Sequence, residues 1–155
     1  KLMVACGSMT IDEILALPGI DECFVGLNDL HLGYHRKFMF ELLADGTVEG
    51  ICRKFALAGK PYGFGGIARG GTGTLSADRI IGEHVRLGST AVILSRSFCN
   101  TAGSMDPDEI REVFEREVPK VRQAELEYAA AAPAELEENH RAVQAAVRNI
   151  VENMK

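Results

Sequence analysis

The sequence predicts an α/β protein assembled from parallel β/α units, and three observations carry that reading. Short apolar runs recur at residues 2–6, 20–25, 61–64 and 90–94. The stretches between them place apolar residues three and four apart, as in Val48, Ile51, Cys52 and Phe55. Capping residues in front of these stretches, or glycines behind them, mark where helices begin and end. Strands that alternate with helices pair in parallel through right-handed crossovers.

The elements follow in order. Leu2-Met3-Val4-Ala5-Cys6 is the first apolar run, and Thr10 with Glu13 three residues later forms a capping box. A helix is therefore expected over residues 11–17, stopped by Pro18-Gly19. Residues 20–25 read as the second strand, ending at Gly26. After a polar loop, helices are expected over residues 37–43 and 48–58, with Gly59 just past the second. Pro61-Tyr62-Gly63-Phe64 opens a third strand, which should dissolve into a glycine-rich loop through Gly73 before Ser76 caps a helix running to Leu87. Residues 90–94 give the fourth strand, and their unbroken apolar character suits a strand covered on both faces. Asp106-Pro107-Asp108-Glu109 starts a long acidic helix with Asp106 as its N-cap and Glu109 completing the box, and Pro119 is expected to kink it. A final helix from about residue 134 carries Leu136, Val143, Val147, Ile150, Val151 and Met154 on one stripe.

Two architectures satisfy this alternation. A doubly wound sheet would be complete with four strands. A (β/α)₈ barrel usually needs ~250 residues, and the chain would be about half of one. Periodicity does not choose between them.

Composition narrows the class. With 155 residues, 46% hydrophobic and 25% charged, the chain has the material of one packed core rather than of a disordered segment. Its net charge of −5 is spread along the sequence, so it offers no basic face for nucleic acid. Apolar runs such as residues 91–94 fall far short of the ~20 that cross a bilayer, which argues against a membrane, while the scattered cysteines suit a cytoplasmic protein. Cys6, Cys23, Cys52 and Cys99 contain no C-x-x-C pair and read as reduced thiols, with a disulfide framework as the alternative. The start at Lys1, without Met and directly into an apolar run, reads as a cut from something longer.

In both architectures ligands lie beyond the carboxyl ends of the strands, so three loops hold the candidate residues. Gly26-Leu27-Asn28-Asp29 follows the second strand: Asp29 could bind a divalent cation while the neighbouring amides hold a carboxylate, two halves of an α-keto acid site. The rival reading is an aspartate capping a turn. Residues 63–73 contain a literal G-x-G-x-x-A, but these glycines do not open directly into a helix, as a dinucleotide fingerprint requires. They could instead cradle an anion, with Gly65, Gly66 and Arg69 as its partners, or form a wide turn. This leaves a phosphosugar- or nucleotide-binding domain open. Past the fourth strand, Arg96 could meet a carboxylate or phosphate, or pair with a surface acid. His31 and His35 stand four apart, but Gly33 between them weakens the helix a zinc pair would need.

Residues 11–21, with the helix ending in Leu17-Pro18-Gly19-Ile20-Asp21, run into Phe24-Val25-Gly26-Leu27-Asn28-Asp29-Leu30. This resembles the HpcH/HpaI aldolase and citrate lyase family, which carries a similar helix, then PG[VI]D, then [FI]IG…DL. Gly59-Lys60-Pro61, the glycines of residues 63–71 and the last apolar strand fit the same pattern, so the resemblance covers about residues 11–100.

The resemblance implies a TIM barrel, of which this chain supplies about the last four units. Residues 1–104 would be the partial barrel, and residues 105–155 C-terminal helices packing on the barrel or on a neighbouring subunit of a homo-oligomer. It implies a Mg²⁺- or Mn²⁺-dependent carbon–carbon lyase or aldolase acting on oxo-acids or acyl-CoA thioesters. Asp29 matches the family's second metal carboxylate, and Gly26, Leu27 and Asn28 match the segment whose amides bind the substrate carboxylate. The family's other ligand, a glutamate, would fall within residues 3–8, which contain no acid. Its substrate-binding arginine and its histidine come from earlier strands that this chain lacks, so no catalytic residue can be assigned here. A non-catalytic binding or assembly remnant of the family is the expectation of a different class.

Overall fold

The structure, a computed structural model, describes residues 2–3, 10–70, 73–99 and 106–154; at residues 2, 3 and 99 it describes the backbone. In chain order the elements are β1 (Leu2–Met3), α1 (Ile11–Leu15), β2 (Cys23–Val25), α2 (Leu27–Gly33), α3 (Glu41–Ala44), α4 (Thr47–Leu57), β3 (Tyr62–Ile67), α5 (Ala77–Arg86), β4 (Ala91–Leu94), α6 (Arg96–Cys99), α7 (Pro107–Ala130) and α8 (Pro133–Asn153). The four strands form one parallel sheet in the order β1-β2-β3-β4. The α/β class and the parallel pairing expected from the alternation are present. Strand order follows chain order without reversal, so these strands have no switch point of the kind that a doubly wound sheet uses for its ligand.

Local signals placed most helix ends. Thr10 accepts from the amide of Glu13 at 3.3 Å, and Glu13 Oε2 accepts from the amide of Thr10 at 2.6 Å, closing the box that starts α1. Asp106 and Glu109 repeat the device ahead of α7. That helix continues through Pro119 to Ala130, so the proline does not end it. Ser76 sits at the N-cap of α5 without a side-chain cap bond.

Several expectations need correction. The loop after β2 is the helix α2, because Gly26 takes an extended conformation that turns the chain directly into helix. The helix expected over residues 37–43 shrinks to α3, whose turn is tied by Glu41 accepting the amides of Lys37 and Phe38, both at 2.8 Å. Gly65 and Gly66 are not in a loop: β3 carries through them to Ile67. The final correction concerns β4, which is not covered on both faces. Ala91 and Ile93 are exposed, Ile93 at 47%, because β4 ends the sheet and no helix among the described residues crosses that side.

The core lies between the other sheet face and the helices. Val25, Phe64 and Ile67 from the strands meet Phe55 of α4, Ile80 of α5 and Val143 of α8. Each such side chain contributes about 2–3 kcal/mol when it leaves water. The stripe on α8 serves this purpose through Val143 and Val147, whereas Met154 lies past its end and is exposed. Cys23 and Cys52 are free and buried, and burial pushes the Cys52 thiol up to about 12. Cys6 and the Cys99 side chain lie outside the described residues.

A polar cluster fastens α8 to α5. Glu83 is 0% exposed, and its carboxylate accepts from Arg86 Nε at 3.1 Å, Arg86 Nη2 at 3.0 Å and His140 Nδ1 at 2.9 Å. Arg86 also reaches Glu49 of α4 at 2.9 Å, and Asn139 donates to the carbonyl of Arg79 at 3.0 Å. Every buried charge there has a partner, as a low-dielectric setting requires. No helix among the described residues is long and apolar enough to cross a membrane.

Candidate functional site

The carboxyl ends of β2, β3 and β4 surround a cavity of about 410 Å³. Seven of the eight residues singled out from the sequence line it: Gly26, Leu27, Asn28 and Asp29 after β2, Gly65 and Gly66 in β3, and Arg96 after β4. Arg69 is half-buried and is not among the lining residues of this cavity. Phe24, Met39, Ile93, Leu94 and Ser95 complete the wall; Leu94 and Ser95 adjoin Arg96 at the end of the fourth strand, whereas Phe24, Met39 and Ile93 were not anticipated. Phe24 and Ile93 had a signal available: in β2 and β4 they alternate with the residues that face the helices.

A bulge shapes this end of the sheet. Gly63 pairs with Ala91 but Gly66 with Ile93, so three steps on β3 oppose two on β4. The extra residue is absorbed by Gly65 at φ +54°, a left-handed conformation suited to glycine. Any side chain there would also strike Leu27, whose Cδ1 lies 2.8 Å from the position a Cβ would take. Gly65 therefore joins the β3 end to the first turn of α2 and leaves the cavity floor without side chains.

Asp29 stands in the first turn of α2, exposed, where the helix dipole favours a negative charge. It is not the cap that the rival reading made it, since the N-cap is Gly26 and no side-chain cap bond is present. Arg96, also exposed, opens α6. Neither Asp29 nor Arg96 has a hydrogen bond or ion pair among the described residues, in contrast to the paired charges of the helix layer. The cavity thus presents one carboxylate, one guanidinium and the Asn28 amide around an apolar wall.

No histidine lines it. His31 points back to the Leu27 carbonyl at 3.2 Å, and His35 lies beyond the helix at φ +53°, so the pair does not share a helix face. His84 is on the helix side, stacked on Phe64 at 3.9 Å, and burial pushes it down to about 4. The described residues contain no group of three His, Cys, Asp or Glu that could hold a metal by themselves. Asp29 is the only carboxylate among the described lining residues, so it could hold Mg²⁺ or Mn²⁺ only together with waters and substrate oxygens. Of residues 3–8, where the resemblance would put the other metal carboxylate, 4–8 lie outside the described residues.

No family model, no curated protein and no solved structure matches the chain.

Proposed function

We propose that the strand-end cavity is the oxo-acid site of a divalent-metal-dependent carbon–carbon lyase or aldolase, and that the four strands are a section of a (β/α)₈ barrel. The observation that carries this is the placing of Asp29, Asn28 and Arg96 in one cavity on the glycine floor of β3. Charge logic favours a cation there. Arg96 is suited to a carboxylate, but Asp29 would repel one unless a divalent ion lay between them. A divalent ion held at Asp29 would supply Lewis acidity toward a substrate oxo group. Arg96 then holds the carboxylate end, Asn28 donates to a substrate oxygen, and Phe24 with Ile93 exclude water from one side. Oxo-acids and acyl-CoA thioesters of related shape both suit this division, and the sequential strand order with one open sheet face suits a barrel section.

Calorimetric titration of Mn²⁺ in the presence of pyruvate tests the reading. Wild type should bind the ion, and Asp29→Asn should lose at least about tenfold in affinity, because a neutral amide replaces the anionic ligand. Equal affinities would overturn it.

A second reading, a binding or assembly module without turnover, is favoured by the exposed Ala91 and Ile93 on β4. An apolar strand face of this kind is covered in a closed barrel or an oligomer, here most simply a homo-oligomer. That reading expects a defined oligomer and no cleavage of 4-hydroxy-2-oxo acids with any divalent ion. Release of pyruvate from such a substrate would sink it.

A further inference from the structure

We propose that the strand-end cavity is one of two joined compartments, and that the second receives an uncharged, apolar tail on the oxo-acid rather than a second carboxylate. The inference rests on the oxo-acid reading above and adds the class of substrate. A cavity of about 210 Å³ adjoins the first, and Met39, Gly66 and Ser95 line both. Phe38, Phe40, Leu75 and Ile80 form its apolar wall, with the hydroxyls of Thr74 and Ser97 beside them; among the described residues, none that lines it is charged.

The wall is built without a ligand. Glu41 accepts the amides of Lys37 and Phe38, which fixes the turn carrying the two phenyl rings. Those rings meet edge to face, with centroids 5.3 Å apart at 71°. The Ser95 and Ser97 hydroxyls bond to each other at 2.7 Å, so one O–H of the pair is already used, and neither hydroxyl carries a charge. A carboxylate entering here would lose its hydration with no cation to replace it. An aromatic or branched aliphatic group would instead gain by leaving water. Charge is thus confined to the compartment of Asp29 and Arg96, and the tail compartment selects against it.

The test is calorimetric binding of three 2-oxo acids to the Mn²⁺-loaded protein: pyruvate, 4-methyl-2-oxopentanoate and 2-oxoglutarate. The branched acid is expected to bind about 10-fold more tightly than 2-oxoglutarate, the scale of discrimination a small apolar pocket supplies. Thr74→Trp, made at an exposed position, fills the compartment and should cut that ratio to about threefold or less. Ser97→Lys, also at an exposed position, places a cation there and should turn the preference toward 2-oxoglutarate. Pyruvate binding without tail discrimination in wild type, or a ratio that neither variant moves, overturns this inference alone. Failure of all three acids to bind overturns the oxo-acid reading and this inference with it.

Discussion

The helix layer and the strand ends treat charge in opposite ways. Between α5 and α8, Glu83 is out of contact with water and has Arg86 and His140 on its carboxylate. At the strand ends, Asp29 and Arg96 are exposed and have no partner among the described residues. A buried charge must be satisfied within the fold, so the first arrangement serves docking. A charge left without a protein partner beside a cavity is available to a ligand. The contrast therefore separates charges that are used within the fold from charges that, in the proposed function, meet a ligand.

The largest expected effect breaks the first arrangement. Glu83→Ala removes the carboxylate that His140 and Arg86, only 10% exposed, share, leaving Arg86 to Glu49, and should lower unfolding free energy by about 3–4 kcal/mol, read from the urea midpoint. If the loss were under ~1 kcal/mol, the cluster would not be what fastens α8 to α5.

Next comes acid sensitivity of the same layer. His84 is held uncharged, its value pushed from 6.5 to about 4 by burial. Between those values the unfolded chain binds the proton and the folded one does not, so stability rises with pH across the window and is lost as pH falls from 6.5 toward 4. The loss should reach about 3 kcal/mol in wild type, and His84→Leu should flatten the slope in a series of urea melts. An unchanged slope would show that His84 does not govern it.

A smaller effect lies under the cavity. At Gly63 a Cβ would stand 2.9 Å from Phe24 Cε2 and closer still to the Ala91 carbonyl oxygen. Gly63→Ala should cost about 1–3 kcal/mol by forcing β3 from β4, seen as a lowered Tm. A Tm equal to wild type would mean that the strands have room to spare.

The smallest effect on stability is expected at Asp29. Asp29→Asn should change unfolding free energy by no more than about 0.5 kcal/mol, as for other exposed positions, while weakening Mn²⁺ binding. A destabilisation comparable to Glu83→Ala would erase the distinction between the two regions.

Much of the fold was legible locally. The capping boxes at Thr10 and Asp106, the apolar spacing of α4 and the short β-runs all state their conformation within a few residues. The extent of β3 through Gly65 and Gly66 was not, because glycine reads as a loop until a neighbouring strand supplies the pairing. The same limit shortened the second strand: only Cys23, Phe24 and Val25 find partners in β3. For the site, Gly26 to Asp29 and Arg96 could be named because strand-end positions follow from alternation. Met39 could not, since it reaches the cavity only through tertiary folding. Nor could the burial of Glu83, although its place beside Ile80 and His84 on the inner face of α5 was a signal.

The sequence by itself determined the alternation of strand and helix, the capped starts of α1 and α7 and the strand-end position of residues 26–29, because these depend on interactions among near neighbours. Only the tertiary structure decided that Asp29, Gly66 and Arg96 share one cavity while Arg69 does not, and that Glu83 is a buried anchor. Those facts depend on which strands pair, in what register, and on which helix faces they bury, and such long-range choices leave no mark within any short stretch of chain.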